Sequence, residues 1–503
     1  MKATDLITHT INLTSNASVK AKRFRNPPAL DEALQAQIDS LVKKGVLAPS
    51  TSEYSSPTWV IKKHTKPGET PNYRLITDFR MLNQITQGSN YPIPIQTDII
   101  DNVASARYIT CLDLQSGYYQ IKLDKKSRTY TAFSGPRGHY EYLRVPMGLK
   151  TSSHRFMSLM FLVLNGLIGK DGIWLYLDDI ILTANSLSQH LTRFNKLAER
   201  LEIANLTLNP KKCQFLQREA RVLGHIVGNN SIKMCPSKLA AVQKYPVPTS
   251  QKKCKQFTSF CSYYRRFIKG FAKIARPLYQ LQHDNVPFIW GPKEQESFET
   301  LKNMLCSEPV LAAPNFDKPF VISCDASDYA VGCILETESE GKMHPCAYAS
   351  RTLRGPELRY SAYDKELTAI VYACNQFYYY IYGRHFKVIT DHLPLKHLFS
   401  TKKPDPRFNR LKTELQGLDL EIIYRKGTSN PADALSRNPV IENGEINPEK
   451  PRSELYALAD AQEKVEPQAN VFTFKRTRNQ RRRENFSDSE TEKQVPKKYK
   501  KKN

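Results

Sequence analysis

Two adjacent carboxylates, Asp178 and Asp179, interrupt the apolar run 174–182 once, at its middle. Aromatic and β-branched residues on both sides make strand, tight turn and strand the expected local structure. A hairpin that buries so much apolar surface would bury its acids too, and an unpaired buried carboxylate is very costly. Two arrangements escape that cost. In one, the acids sit at a solvated turn and carry no chemistry. In the other, a rigid apolar hairpin holds two hard oxygen ligands for a divalent cation. Asp113, near the end of a buried-type strand over 108–114, could join them if the strands are antiparallel neighbours. Three ionised carboxylates cannot crowd together unless cations neutralise them. Two magnesium ions roughly 3.5–4 Å apart would do so, one activating an attacking hydroxyl and the other neutralising the leaving oxygens of an in-line phosphoryl displacement.

The elements around these acids suggest a substrate. Segments 59–64 and 73–78 read as a hairpin about the turn Pro67-Gly68-Glu69, with Lys62, Lys63, Lys66 and Arg74 near its tip. It is either a solvated finger or a phosphate grip; the charge of the chain favours the second, with Lys63 and Arg74 on a triphosphate. Tyr118, five residues past Asp113, would floor a sugar pocket. Taken together, these residues describe a nucleotidyl transferase. Helices are expected over 30–46, stopping at Gly45, over 152–164, and around Leu191, Phe194, Leu197 and Leu201. Tyr118 to Ile121 resumes the strand-like aromatic pattern; strand pairs are expected for 131–133 with 139–143 and for 212–216 with 222–227. From 236 to 306 the texture is one of short basic helices. One starts at the N-cap Ser250 and carries the stripe Phe257, Phe260, Tyr263, Tyr264 and Phe267, which reads as packing.

A second pattern begins near Pro319. Strands over 320–325, 331–335 and 346–349 precede a helix over 361–379, a strand over 386–391, helical stretches, a strand over 420–424 and a last helix from Asn430, which is the order of a mixed α/β layer. Beyond about 440 periodicity ends, and basic blocks at 475–483 and 497–502 mark a disordered tail by composition.

The chain has 503 residues, 40% of them hydrophobic, and a formal charge of +25. Several domains with proper cores are expected, and the charge predicts a polyanionic partner, nucleic acid first. No apolar run reaches about 18 residues, so no membrane span is expected. Ten cysteines without a C-x-x-C pair argue against a structural zinc site and against a disulfide framework.

In order along the chain, Tyr73-Arg74-Leu75-Ile76-Thr77-Asp78-Phe79-Arg80-Met81-Leu82-Asn83, Tyr91-Pro92-Ile93-Pro94, Leu112-Asp113-Leu114-Gln115-Ser116-Gly117-Tyr118, Pro146-Met147-Gly148-Leu149, Tyr176-Leu177-Asp178-Asp179, Leu223-Gly224-His225 and Tyr263-Tyr264-Arg265-Arg266-Phe267-Ile268 resemble the reverse transcriptase–ribonuclease H part of a gypsy-type LTR retrotransposon Pol polyprotein. Each motif is weak alone; the ordered set is very specific. The resemblance implies an α/β and α+β multidomain chain: a right-hand polymerase of fingers, palm and thumb, then a connection and a ribonuclease H-like domain. The implied boundaries are a basic arm at 1–30, fingers and palm at 31–232, thumb at 233–285, connection at 286–318, ribonuclease H-like domain at 319–438 and tail at 439–503.

It also implies roles. Asp113, Asp178 and Asp179 are metal ligands; Lys63, Arg74, Met147 and Gly148 line the nucleotide site; Tyr118 is the steric gate against a 2′-hydroxyl; Leu223, Gly224 and His225 lie in the primer grip, and the thumb's Lys and Arg face phosphates. Asp325, Glu366, Asp391 and Asp433 match the four acids of a ribonuclease H, which implies a second two-metal site that cuts RNA in hybrids. Mg2+ is the expected ion, with Mn2+ as a substitute. RNA template, DNA primer, RNA·DNA hybrid and deoxynucleoside triphosphates are the expected partners; a dimer stays open. The expected location is the cytoplasm in retrotransposon particles, with the nucleus open. Met147 stands where the family often has an aromatic residue, Thr151-Ser152-Ser153 replaces its usual Asn-Ala-Pro, and no histidine sits just before Asp433. Because no protease motif precedes the first domain and no integrase motif follows the second, the chain reads as a fragment, a processed unit or a shortened gene product. A catalytically silent nucleic-acid-binding relic and a nuclease-only protein are the competing readings.

Overall fold

In the computed structural model, residues 2–425 are described, apart from 16, 22–25, 64–70, 72, 284, 308, 340 and 400–405. Asp433, the last helix expected from Asn430, the tip of the basic hairpin with Lys66, and the tail all lie outside the described residues.

The first apolar hairpin sits in a four-stranded antiparallel sheet. Strand Asp179–Ala184 lies between Ile173–Tyr176 and Tyr108–Asp113, and Gln214–Gln217 completes the outer edge beyond Tyr108–Asp113. The alternation of the central strands sends Leu112, Leu175, Ile180 and Leu182 into one core, shared with helices Ser152–Val163 and Leu187–Ile203. Their opposite faces, with Ile109 and Ile181, enter a second core built with the basic helices of 236–306. The sheet is thus buried on both sides, which explains the near-continuous apolar runs in its sequence.

Several local expectations shift. Gly117–Gln120 is a 3₁₀ turn rather than a strand, because Ser116 enters the left-handed region (φ 52°) and redirects the chain. The segment 222–227 is not one strand. Leu223 (φ 46°) and Gly224 (φ 80°) make a two-residue turn joining Glu219–Val222 to His225–Gly228, and two positive φ values suit a primed hairpin turn. The strand expected at 212–216 begins at Gln214 and pairs with Tyr108–Asp113 instead. Leu191 is exposed; His190, Leu197 and Leu201 form the buried face of its helix. The start of the arm is tied down: Thr8–His9 pairs in parallel with Lys122–Leu123, and His9 and Ile11 are buried.

The basic segment folds into helices Pro236–Gln243, Gln251–Tyr263, Phe271–Gln280 and Pro292–Cys306. Ser250 caps the second, its hydroxyl accepting from the Lys253 N–H. Phe257, Tyr264 and Phe267 of the aromatic stripe are buried and Phe260 is half-buried, while Tyr263 is exposed. Strand Val310–Ala312 then returns to pair with Ser231–Met234.

The second domain is a five-stranded mixed sheet. Phe320–Ala326 is central, antiparallel to Ala330–Ser339 (itself paired with Lys342–Thr352) and parallel to Phe386–Thr390, which is parallel to Leu420–Tyr424. Helix Ala362–Gln376 covers one face, with Ser361 accepting from the Asp364 N–H at its start.

Candidate active sites

Register alone brings the first acids together. Asp179 is directly opposite Asp113 across one ladder and opposite Tyr176 across the other. The turn residues are therefore Leu177 and Asp178, not the Asp178-Asp179 pair, and Asp179 opens a strand. Leu177 has φ 51°. A leucine there is strained, since this turn position favours glycine, and such strain is held in place only by firm surroundings. Leu177 packs against the first core. Elsewhere near Asp113 in the chain, Gln120 is fully buried: its side-chain amide donates to the Gln115 and Thr207 carbonyls (both 2.9 Å) and its oxygen accepts from the Thr207 N–H (2.8 Å). The Asn209 N–H donates to the Asp113 carbonyl at 2.8 Å. Gln120 carried no distinguishing sequence signal beyond being a polar residue in an aromatic run.

Burial and mutual repulsion raise two of these three acids, although the three do not each bring an oxygen within 4.8 Å of the other two. Burial, then Asp179 and further off Asp113, push the Asp178 carboxyl up to about 6; the Tyr118 phenol and Lys212 oppose this. Asp179 is raised in the same way, by burial and by Asp113. Asp178 Oδ1 is buried with no hydrogen-bond partner, a hard oxygen withheld from water and protein alike. Lys212, expected only as the start of a strand, sets its Nζ 3.3 and 3.1 Å from the two Asp113 oxygens. An ammonium thus holds one of the three acids.

Asp178 has a consequence for stability. A carboxyl whose folded value lies near 6 binds its proton more tightly folded than unfolded. Its contribution to stability is complete below the unfolded value near 3.8 and is lost as pH rises through about 6. Asp178→Asn is expected to raise the melting temperature of the chain, with chelator present, at pH 8 but not at pH 4. Added Mg2+ at pH 8 is expected to stabilise the wild type more than the variant. Equal melting curves at pH 8 would refute this account.

Around the acids, Tyr118 packs its ring on Phe156 (centroids 5.3 Å) and its hydroxyl lies 3.2 Å from Ser153 Oγ. A Cβ on Gly117 would come to 3.0 Å from the same Phe156 ring, a tight contact that a side chain there could make only if the ring shifted by a few tenths of an ångström. Arg74 projects from strand Tyr73–Thr77 and its guanidinium meets the Met147 sulfur. Gly148 (φ 94°) is pinned by Asn83, whose amide donates to the Gly148 carbonyl at 2.8 Å and accepts from the Lys150 N–H at 2.7 Å. Lys63 is exposed just beyond strand Thr58–Lys62.

The turn Leu223-Gly224 receives two phenols: Tyr263 donates to the Leu223 carbonyl (2.7 Å) and Tyr264 to that of Gly224 (3.1 Å). His225 is 3% exposed, stacked on Phe267, with burial lowering its imidazole to about 4. It is neutral and packs beneath the turn, so only the turn itself is presented outward. The expected phosphate-facing cations of the thumb divide. Lys252, Lys253 and Lys255 are exposed on helix Gln251–Tyr263. Arg265 is exposed but donates to the Ser350 carbonyl (2.6 Å), whereas Arg266 is turned inward and donates to the Cys346 carbonyl (3.1 Å) and to Asp101 (2.9 Å).

In the second domain, Asp325 in the central strand, Glu366 in the covering helix and Asp391 just past Phe386–Thr390 bring one oxygen each within 4.8 Å of one another. This is the one such acid group among the described residues. The Ala326 N–H donates to Glu366 Oε1 at 3.0 Å, locking helix to strand. Asp325 and Glu366 are buried. Three close carboxylates in that setting fit a divalent cation.

A palm-like sheet with three acids, followed by a ribonuclease H-like sheet with its own acid cluster, defines a reverse-transcriptase class of fold. A family model described as reverse transcriptase (RNA-dependent DNA polymerase) matches residues 61–227, and one described as an RNase H-like domain found in reverse transcriptase matches 290–388. The Pol polyprotein of transposon 297 of Drosophila melanogaster is 38% identical over 442 residues, covering 88% of this chain and 41% of the relative. That of transposon gypsy from the same fly is 35% identical over 446 residues, covering 86% and 43%. The chain belongs to the reverse transcriptase–ribonuclease H family of LTR-retrotransposon Pol proteins, and it spans about two-fifths of these relatives' length. The fold likeness extends to a foamy viral protease-reverse transcriptase solved with dsDNA (TM-score 0.73, 22% identity, 84% of this chain and 88% of that one) and to one solved with RNA/DNA hybrid (TM-score 0.68, 21% identity, 89% and 60%).

Proposed function

We propose that this chain is an RNA-directed DNA polymerase, able also to copy DNA, with a ribonuclease H activity that removes the copied RNA from hybrids. The observation that carries the reading is the pairing of two acid clusters on one chain: Asp113, Asp178 and Asp179 at a strained hairpin, and Asp325, Glu366 and Asp391 within 4.8 Å. Mg2+, with Mn2+ as a substitute, supplies Lewis-acid stabilisation of phosphoryl transfer at both sites when bound. At the first, Asp178 and Asp179 offer oxygens from the hairpin and Asp113 from the facing strand once it leaves Lys212. Lys63 and Arg74 hold the triphosphate, Met147 and Gly148 border the nucleotide, and the turn at Leu223-Gly224 bears on the primer strand. At the second, Asp325, Glu366 and Asp391, with Asp433 as the fourth acid of the family pattern, orient water at an RNA phosphodiester. Lys252, Lys253 and Lys255 face the duplex backbone. The proposed working place is the cytoplasm, in retrotransposon particles, with the nucleus as the alternative.

Primer extension on an RNA template with Mg2+, run beside cleavage of an RNA·DNA hybrid, tests the reading. Both activities are expected; hybrid binding with neither would instead select a nucleic-acid-binding relic, and cleavage without synthesis a nuclease. Tyr118 supports a further test. Its ring is clamped between Phe156 and Ser153, so it gives a firm floor under the sugar. Tyr118→Ala is expected to improve use of ribonucleoside triphosphates relative to deoxynucleotides by about 10–200-fold, the range set by a small group in a tight pocket. Unchanged discrimination in single-nucleotide insertion assays would remove the gate from Tyr118.

A further inference from the structure

Asp101, in helix Gln96–Ala104 behind the polymerase acids, has a fully buried carboxylate. It is held from two other parts of the chain. Arg266, in the 3₁₀ turn Arg265–Phe267, sets Nη2 2.9 Å from Asp101 Oδ1 and, through the same nitrogen, 3.1 Å from the Cys346 carbonyl. Tyr380, in helix Tyr378–Ile381 of the second domain, donates its phenol to Asp101 Oδ2 at 2.5 Å. The Arg266 Nε and Nη1 atoms are buried with no acceptor, so Nη2 alone carries this guanidinium's hydrogen bonds at the junction. Neighbouring bonds reinforce it: Arg265 to the Ser350 carbonyl at 2.6 Å, and the Ala272 N–H to Ser350 Oγ at 3.0 Å.

A buried charge pair is weak evidence for stability, because desolvation offsets much of its attraction; its attested use is to enforce one arrangement over others. Domains of one chain otherwise move against each other unless their interface is large and apolar. Here a single carboxylate joins palm, thumb and second domain. A duplex gripped by both acid clusters would then measure the separation between them in nucleotides.

Resting on the activity proposed above, we infer that Asp101, Arg266 and Tyr380 are positioning residues that fix the distance between the two active sites along one bound duplex, so that RNA is cut at a set number of nucleotides behind the primer end. None of the three touches the reacting atoms. Each nucleotide advances the strand by about 3.4 Å, so loosening the junction by several ångströms moves cuts by about two nucleotides.

Two variants test this. Tyr380→Phe removes one hydrogen bond and keeps the ring; the double variant D101N/R266Q removes both charges and leaves neither unpaired. RNA cuts are mapped on a hybrid with a recessed primer end, and small-angle scattering of the full chain records its radius of gyration. The wild type is expected to cut in one narrow cluster and both variants in a spread widened by about two nucleotides or more, with primer extension unchanged and the radius of gyration raised. An unchanged cut pattern in both variants overturns the inference, whatever the scattering shows. If the wild type cuts no hybrid, the proposed activity fails, and the junction is then decided by scattering alone, an unchanged radius in both variants overturning it. Should the double variant fail to fold by thermal melting, Tyr380→Phe decides.

Discussion

Asp178→Asn is expected to abolish primer extension, with a loss of about 10³-fold or more, while leaving hybrid cleavage at the wild-type rate. The size follows from what a bound cation contributes. Lewis-acid stabilisation of a phosphoryl transition state amounts to several kcal/mol, and about 1.4 kcal/mol is a factor of ten in rate. Asparagine keeps the shape of the side chain and leaves the strained turn at Leu177 unchanged, so the lost term is the charge on a buried oxygen. That oxygen, Oδ1, has no protein partner whose removal could confuse the result. The substitution also removes the cost of burying a charge and relieves repulsion from Asp179 and Asp113, which together push this carboxyl up to about 6. A folded, thermally firmer and inactive polymerase is therefore the expected product. Extension within tenfold of the wild type, measured by single-turnover insertion, would mean that Asp178 holds no ion in the rate-limiting step.

Much of this site was legible because its residues follow short-range rules. The apolar runs around Asp113 and around Asp178-Asp179 announced buried strands, and antiparallel pairing placed the acids opposite one another. The turn itself was misplaced by one residue. Sequence favours acids in a turn, whereas the ladder takes Asp179 into the strand and leaves Leu177 at a positive φ that no leucine would choose alone. The folded segment 222–227 failed for a similar reason: a turn made by Leu223 and Gly224 inside an apolar run looks like continuous strand until its partner is known. Lys212 was hidden because its meaning depends on a strand from elsewhere in the chain. Arg265 and Arg266 illustrate the deeper limit. Just after a helix carrying exposed Lys252, Lys253 and Lys255, two more cations read as phosphate contacts. Their acceptors are Asp101, Cys346 and Ser350, 80 to 165 residues away in the chain, and no local pattern encodes such a meeting.

Asp325→Asn gives the converse separation, and its argument differs. Asp325 is 3% exposed on a central strand, and its carboxylate oxygen lies within 4.8 Å of one from Glu366 and one from Asp391. On the activity proposed above, neutralising one of three converging carboxylates would weaken cation binding and remove charge where an attacking water would be ordered. Hybrid cleavage is expected to fall by about 10³-fold or more, again several kcal/mol of metal-assisted stabilisation. Glu366→Gln sharpens the test. The glutamine oxygen can still accept from the Ala326 N–H, so the bond that ties helix to strand survives while the ligand charge is lost. If Glu366 serves packing only, cleavage persists in Glu366→Gln; if it holds an ion, cleavage disappears as in Asp325→Asn. Primer extension should continue in both variants, because the acids of the first site lie on a separate sheet with a separate core. Loss of synthesis in a folded Asp325→Asn protein would show instead that the two sites share an ion-dependent step, and the assignment of one reaction to each acid cluster would have to be abandoned.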